Sequence, residues 1–173
     1  MNADVDSVLA HELTEIYEQI MWLAQQPGVT PSMARAWYTH VWAEKVKRRI
    51  RHFTGQVSAR AMSDPAQVLR LEHYLRIQTS LTGLVAEHLA AGRSDPEAFI
   101  QLLTKCERVH IVTFRENYDA QAAAGDYLAA GIDMVPWASI AADTRAVLWK
   151  KMLRGRVANA REFQPRLSAA PGA

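Results

Sequence analysis

Leu9, Leu13, Ile16, Ile20 and Leu23 recur at 4-3-4-3 spacing, the narrow apolar seam of a helix that packs along one side. This seam predicts a first helix that starts at Asp6 or Ser7 as cap and stops at the breaker Gln26-Pro27-Gly28. Thr30-Pro31-Ser32 is a second start signal, with Trp42, Val46, Ile50 and Phe53 as the later seam. Gly55 bends or ends that helix. Ser63-Asp64-Pro65 opens a third, carried by Val68, Leu71, Leu75, Leu81, Val85 and Leu89 and closed at Ala91-Gly92.

The most apolar stretch runs from Ser94 to Gly125. Ser94 and Glu97 have capping-box spacing, and Pro96 falls in the first turn, where its missing N–H costs nothing. Phe99, Leu102, Cys106 and Val109 form one helical stripe, and Ile100, Leu103, Ile111, Phe114 and Tyr118 a neighbouring one. Val109–Phe114 is β-branched and aromatic and alone would read as a strand. No second strand-like run offers itself as a partner, so the segment is read as helix. Residues 125–137 read as loop, and Ile140, Val147, Leu148 and Met152 predict a last helix from Ser139 to Arg154, capped by Gly155. The expectation is an all-α, single-domain helical bundle over 1–163 with about five helices, a central helix at 95–124 and a flexible tail at 164–173.

Charge changes the picture only through its distribution, since the net value is +2. Residues 1–34 carry Asp4, Asp6, Glu12, Glu15 and Glu18 and no Lys or Arg. Residues 45–61 carry Lys45, Lys47, Arg48, Arg49, Arg51 and Arg60 and no acid. A second basic zone follows Arg145. Such asymmetry suits a polyanion or a complementary protein partner. The single cysteine excludes an intrachain disulfide and a multi-cysteine metal site. The N-terminus lacks a charged-then-apolar leader and no apolar run approaches ~18 residues, so the expected location is cytoplasmic, with no membrane span.

Four patterns carry candidate chemistry. Met21–His40 resembles a helix-turn-helix: Ala24, the Gly28-Val29 turn, then Ala34 and Trp37 facing inward. Ser32, Arg35, Tyr38 and Thr39 would then face a nucleic-acid groove, and Lys45, Lys47, Arg48, Arg49 and Arg51 would contact phosphates. The second pattern is WKKMLRGRVANAREF, where Arg154 and Arg156 could follow a nucleic-acid backbone, while Lys150 and Lys151 suit a helix C-terminus. The third is Glu107 and His110, an i,i+3 pair like that of di-iron carboxylate bundles. It has no second copy, so a structural ion pair for Glu107 ranks above a metal site. The fourth is Cys106 with His110, four apart, where the apolar stripe argues for a buried, inert thiol.

No phosphate loop, nucleophile elbow or paired-carboxylate motif is present. The leading expectation is therefore a non-enzymatic regulatory or accessory protein that binds nucleic acid through residues 21–40 and 45–51, with no cofactor. The alternative is a protein–protein adaptor recognising an acidic partner or forming a homo-oligomer, followed by a ferritin-like metal-binding bundle.

Overall fold

The computed structural model describes residues 6–73 and 75–165, so most of the expected tail, 166–173, lies outside the described residues. Helix α1 is Ser7–Ala24. Helix α2 joins Pro31–Trp37, a π-helical turn Tyr38–Trp42 and Ala43–Ile50, with right-handed helical backbone angles at both junctions. Then come β1 (His52–Ser58), α3 (Ala59–Ser63), β2 (Leu69–His73), α4 (Ile77–Ala91), α5 (Pro96–Cys106) and β3 (Arg108–Thr113). Helix α6 (Phe114–Ala122), strand β4 (Met134–Pro136) and helix α7 follow, α7 being Ala142–Leu148 continued by the π turn Trp149–Leu153, and a 3-10 turn Ala160–Phe163 comes after it.

The expected all-α bundle is therefore corrected. Among the described residues the fold is mixed α/β, with seven helices and a four-stranded mixed sheet in the order β2-β3-β1-β4. The expected central helix at 95–124 is broken into α5, β3 and α6. The β-branched run does form a strand, because two partners exist after all. One is His52–Ser58, hidden because Phe53 also fits the helical seam of α2. The other is Leu69–His73, where Leu71 also fits a helical spacing. Pairing across the sheet outweighs these local periods.

The chain forms two compact units, Met1–His52 with His73–Arg108, and Phe53–Glu72 with Val109–Ala173. In the first, α1, α2, α4 and α5 bury Leu13, Ile16, Ile20, Tyr38, Val46, Leu81, Val85, Phe99 and Leu103 in one core. Phe99 packs edge-on against Tyr38, with ring centroids 6.2 Å apart, and lies 5.5 Å from Tyr17. Three of these helices start where a side chain satisfies a free N–H: Asp6 accepts from Leu9 N, Thr30 from Met33 N and Asp95 from Ala98 N. Arg76, before α4, provides no such side-chain cap.

The second unit is built on the sheet. Phe53, Val57, Leu69, Val109 and Ile111 alternate onto one face and pack with Trp137, Leu148, Met152 and Leu153. β1 and β4 are antiparallel, with Val57 opposite Val135. The β1–β3 contacts rise in number together, from His52 N with Glu107 O to Thr54 Oγ1 with Val109 O, as a parallel pair requires. Gly55 has φ +80°, a backbone that favours glycine, while a Cβ there would meet the Phe163 ring only at an ordinary contact distance of 3.4 Å.

At the far end of β1, Ser58 caps α3 by accepting from Ala61 N and donates its own proton to Glu116 Oε2 at 2.6 Å. Glu116 also accepts from Thr113 N at 2.9 Å and closes the capping box of α6. One buried carboxylate thus fixes two helix starts.

Gly55→Ala is expected to lower stability by about 1–2 kcal/mol, the cost of a left-handed backbone for a residue with a Cβ. Urea denaturation monitored by circular dichroism measures it.

Candidate functional site

The basic segment of α2 does not present a uniform charged face. Arg51 is drawn inward: its Nε donates to Glu107 Oε2 at 3.0 Å, and its side chain is only 13% exposed. His73 Nε2 lies 3.1 Å from the same oxygen. Arg49 pairs with Glu12, and Lys47 with Glu44. Lys45 sits 4.5 Å above the Trp42 ring, and Arg48 is exposed, its charge acting on the Glu44 carboxylate.

The side chains expected to face a groove are occupied with one another. Arg35 donates from Nη2 to Ser32, from Nη1 to Thr39 and from Nε to Thr82, at 3.3, 3.3 and 3.4 Å. Tyr38 is buried in the core. In the second unit, Arg154 lies over Trp149 at 6.0 Å, and Arg156 donates to Lys151 O at 3.3 Å. Lys151 donates to three successive carbonyls, those of Pro65, Ala66 and Gln67, so it anchors a loop rather than a helix end.

A feature the sequence pattern did not disclose lies on the outer side of α2. Gln19 Oε1 accepts from the indole N–H groups of both Trp37 and Trp42, at 3.1 and 3.2 Å. Residues five apart do not share a face in an α-helix, but the π turn Tyr38–Trp42 adds the residue that brings them together. Trp37 remains 40% exposed. The only signal in the sequence is the i,i+5 spacing, which has meaning only once the π turn is known.

Glu107 and His110 are not an i,i+3 helical pair. Helix α5 ends at Cys106, and His110 lies in β3. Among the described residues no group of three or more His, Cys, Asp and Glu side chains is placed to hold a metal ion. Cys106 is fully buried, and burial pushes its thiol up to about 11, so it is no nucleophile at neutral pH.

No protein-family model, curated protein or solved structure matches the chain. Its geometry carries the functional reading alone. Among the described residues no helix is long and apolar enough to cross a membrane.

Two buried groups respond to acid in different ways. Burial alone would raise Glu107, but the His73 hydrogen bond and the Arg51 charge outweigh it and hold the carboxyl below its ordinary range. The stability it contributes is present above the ordinary carboxylate pKa and is lost as pH falls through the lower folded value. Removing one partner of such a pair leaves the others uncompensated, so Glu107→Ala should cost about 3 kcal/mol in chemical denaturation at neutral pH.

His110 is half-buried, 2.7 Å from Thr54 Oγ1 and edge-on to Tyr127, and burial lowers its pKa to about 4. The unfolded chain therefore takes up this proton first. Stability is complete above roughly pH 6.5, the ordinary histidine value, and falls as pH drops toward the folded value. His110→Gln should flatten the pH dependence of the unfolding free energy across that window, by up to about 3 kcal/mol.

Proposed function

We propose that this chain is a non-enzymatic accessory protein that binds nucleic acid along the outer side of α2. The observation that supports this is the fixed indole pair beside two exposed cations. Gln19 holds Trp37 and Trp42, Trp37 offers a ring to a base, and Lys45 and Arg48 stand one to two turns further on for phosphates. Stacking on an aromatic platform with phosphate contacts alongside is how single strands are held without base reading. Groove reading by Ser32, Arg35 and Thr39 is not part of this proposal, because those side chains satisfy one another. Arg51 and Arg49 act in ion pairs.

A second reading, an adaptor for a protein partner, is favoured by the exposure of Trp22 at 62% and Met33 at 58%. The two separate by salt. Binding of a single-stranded oligonucleotide should weaken steeply with salt, and Lys45→Ala with Arg48→Ala should reduce the slope by about 0.7 per lost phosphate contact. Trp37→Ala should weaken binding at least about tenfold. Fluorescence anisotropy reads both. If neither single-stranded nor duplex oligonucleotides bind at low salt, the nucleic-acid reading fails and the adaptor reading stands.

A further inference from the structure

In the strand order β2-β3-β1-β4, β2 is a terminal strand. Phe114 N donates to Val68 O at 2.9 Å, so the main chain of Val68, and of Arg70 two residues on, points toward β3. The main-chain groups of Leu69 and Leu71 therefore point outward, where no strand flanks β2 among the described residues.

Side chains along β2 alternate as well. Leu69 and Leu71 turn to the core of the second unit, which leaves Val68 and Arg70 on the opposite face. There the Arg70 guanidinium lies over the Phe114 ring at 5.0 Å, and Phe114 meets Tyr118 edge-on with centroids 5.0 Å apart. Phe114 and Tyr118 are four apart on α6, so both rings stand on one side of the helix. Val68 is 61% exposed, Tyr118 56% and Phe114 40%. An outward-facing strand edge thus runs beside an exposed apolar shelf.

Charge selects what fits there. Arg70 and Arg115 are both exposed, and neither is in a salt bridge among the described residues. The acids nearest to them in sequence, Glu72 and Glu116, are buried. A second copy set edge to edge would bring the same cations and no exposed carboxylate on this strand. An acidic strand supplies the missing sign.

We propose that β2 is a docking edge for an extended acidic segment of a partner protein, which adds to the sheet as an outer strand. Its main chain bonds to Leu69 and Leu71, while a carboxylate stands beside Arg70 and an apolar side chain beside Val68. In this mode the main-chain bonds give affinity and the alternate side chains give specificity. The edge lies in the second unit and is independent of the reading given to α2. Charge on an edge strand also serves simply to prevent strand pairing. A guard of that kind repels added strands in general, whereas a docking edge accepts one of complementary charge.

The probe is a fluorescein-labelled peptide, Thr-Val-Thr-Glu-Thr-Val-Thr-Glu-Thr-Val, amidated at its C-terminus. One face of it as a strand reads Val, Glu, Val, Glu, Val in either direction, so it serves parallel and antiparallel pairing alike. Added to the ¹⁵N-labelled full-length chain, it should raise anisotropy saturably and shift the Leu69 and Leu71 amide resonances. N-methylation of one alternate set of its residues should abolish binding, and of the other set should not. The same peptide with lysine in place of both glutamates should bind at least about tenfold more weakly. Arg70→Glu should reverse that preference, a change that loss of structure alone does not produce. Where Arg70→Glu does not fold, the two peptides on the unaltered chain decide. The proposal is overturned if the glutamate peptide does not bind, binds no better than the lysine peptide, or leaves the Leu69 and Leu71 amides unmoved. A dimer in sedimentation that Arg70→Glu dissociates makes the occupant a second copy and equally overturns it.

Discussion

Glu107 is the residue on which three chain segments converge. Its carboxylate accepts from Arg51, one residue before β1, and meets His73, the last residue of β2. Its backbone carbonyl accepts from His52 N, and β3 begins at the next residue. Side chain and main chain of one residue therefore set the starting positions of β1 and β3 and the end of β2. A slip of one position in any of them would reverse which side chains face the sheet's core. It would also leave a buried carboxylate without a cation. The ion pair is thus more informative as a constraint on register than as a source of stability, since desolvation offsets much of the attraction between buried charges.

The same economy recurs wherever a polar group is buried. Glu116 joins Ser58 to the start of α6, Lys151 gathers three carbonyls, and Arg35 ties Ser32, Thr39 and Thr82 together. Residue types that suggest catalysis or groove recognition in a list are here consumed by folding. On α2 the Lys45 and Arg48 cations and the Trp37 indole stay exposed.

Helix positions were legible in the sequence because their signals are local. The 4-3-4-3 seam of α1, the Thr30-Pro31 start of α2 and the Gly92 end of α4 all appear within a few residues of where they act. The sheet was not legible, because each strand taken alone is compatible with something else. Phe53 continues the seam of α2, Leu71 fits the spacing of a third helix, and Val109–Thr113 sits between two helices with no glycine or proline to mark the change. Only their pairing decides, and pairing is a relation between distant residues, such as Thr54 with Val109 and Val68 with Phe114. For the candidate site, the basic run was readable as composition, but its division into paired and available cations depended on partners as distant as Glu12 and Glu107. The Gln19–Trp37–Trp42 clamp depended on a π turn that no residue pattern announces.

Strand β4 has three residues and covers β1 only from Gln56 to Ser58. Nearer its start, β1 has main-chain groups that β4 does not reach. At Phe53 the carboxamide of Asn159 takes both, accepting from the N–H at 2.9 Å and donating to the carbonyl at 3.0 Å, as a neighbouring strand would. An uncovered strand edge is a template on which a second chain can grow intermolecular β-structure. A single side chain here closes that template. At Phe53 the strand's edge is thus capped by one asparagine rather than by another strand.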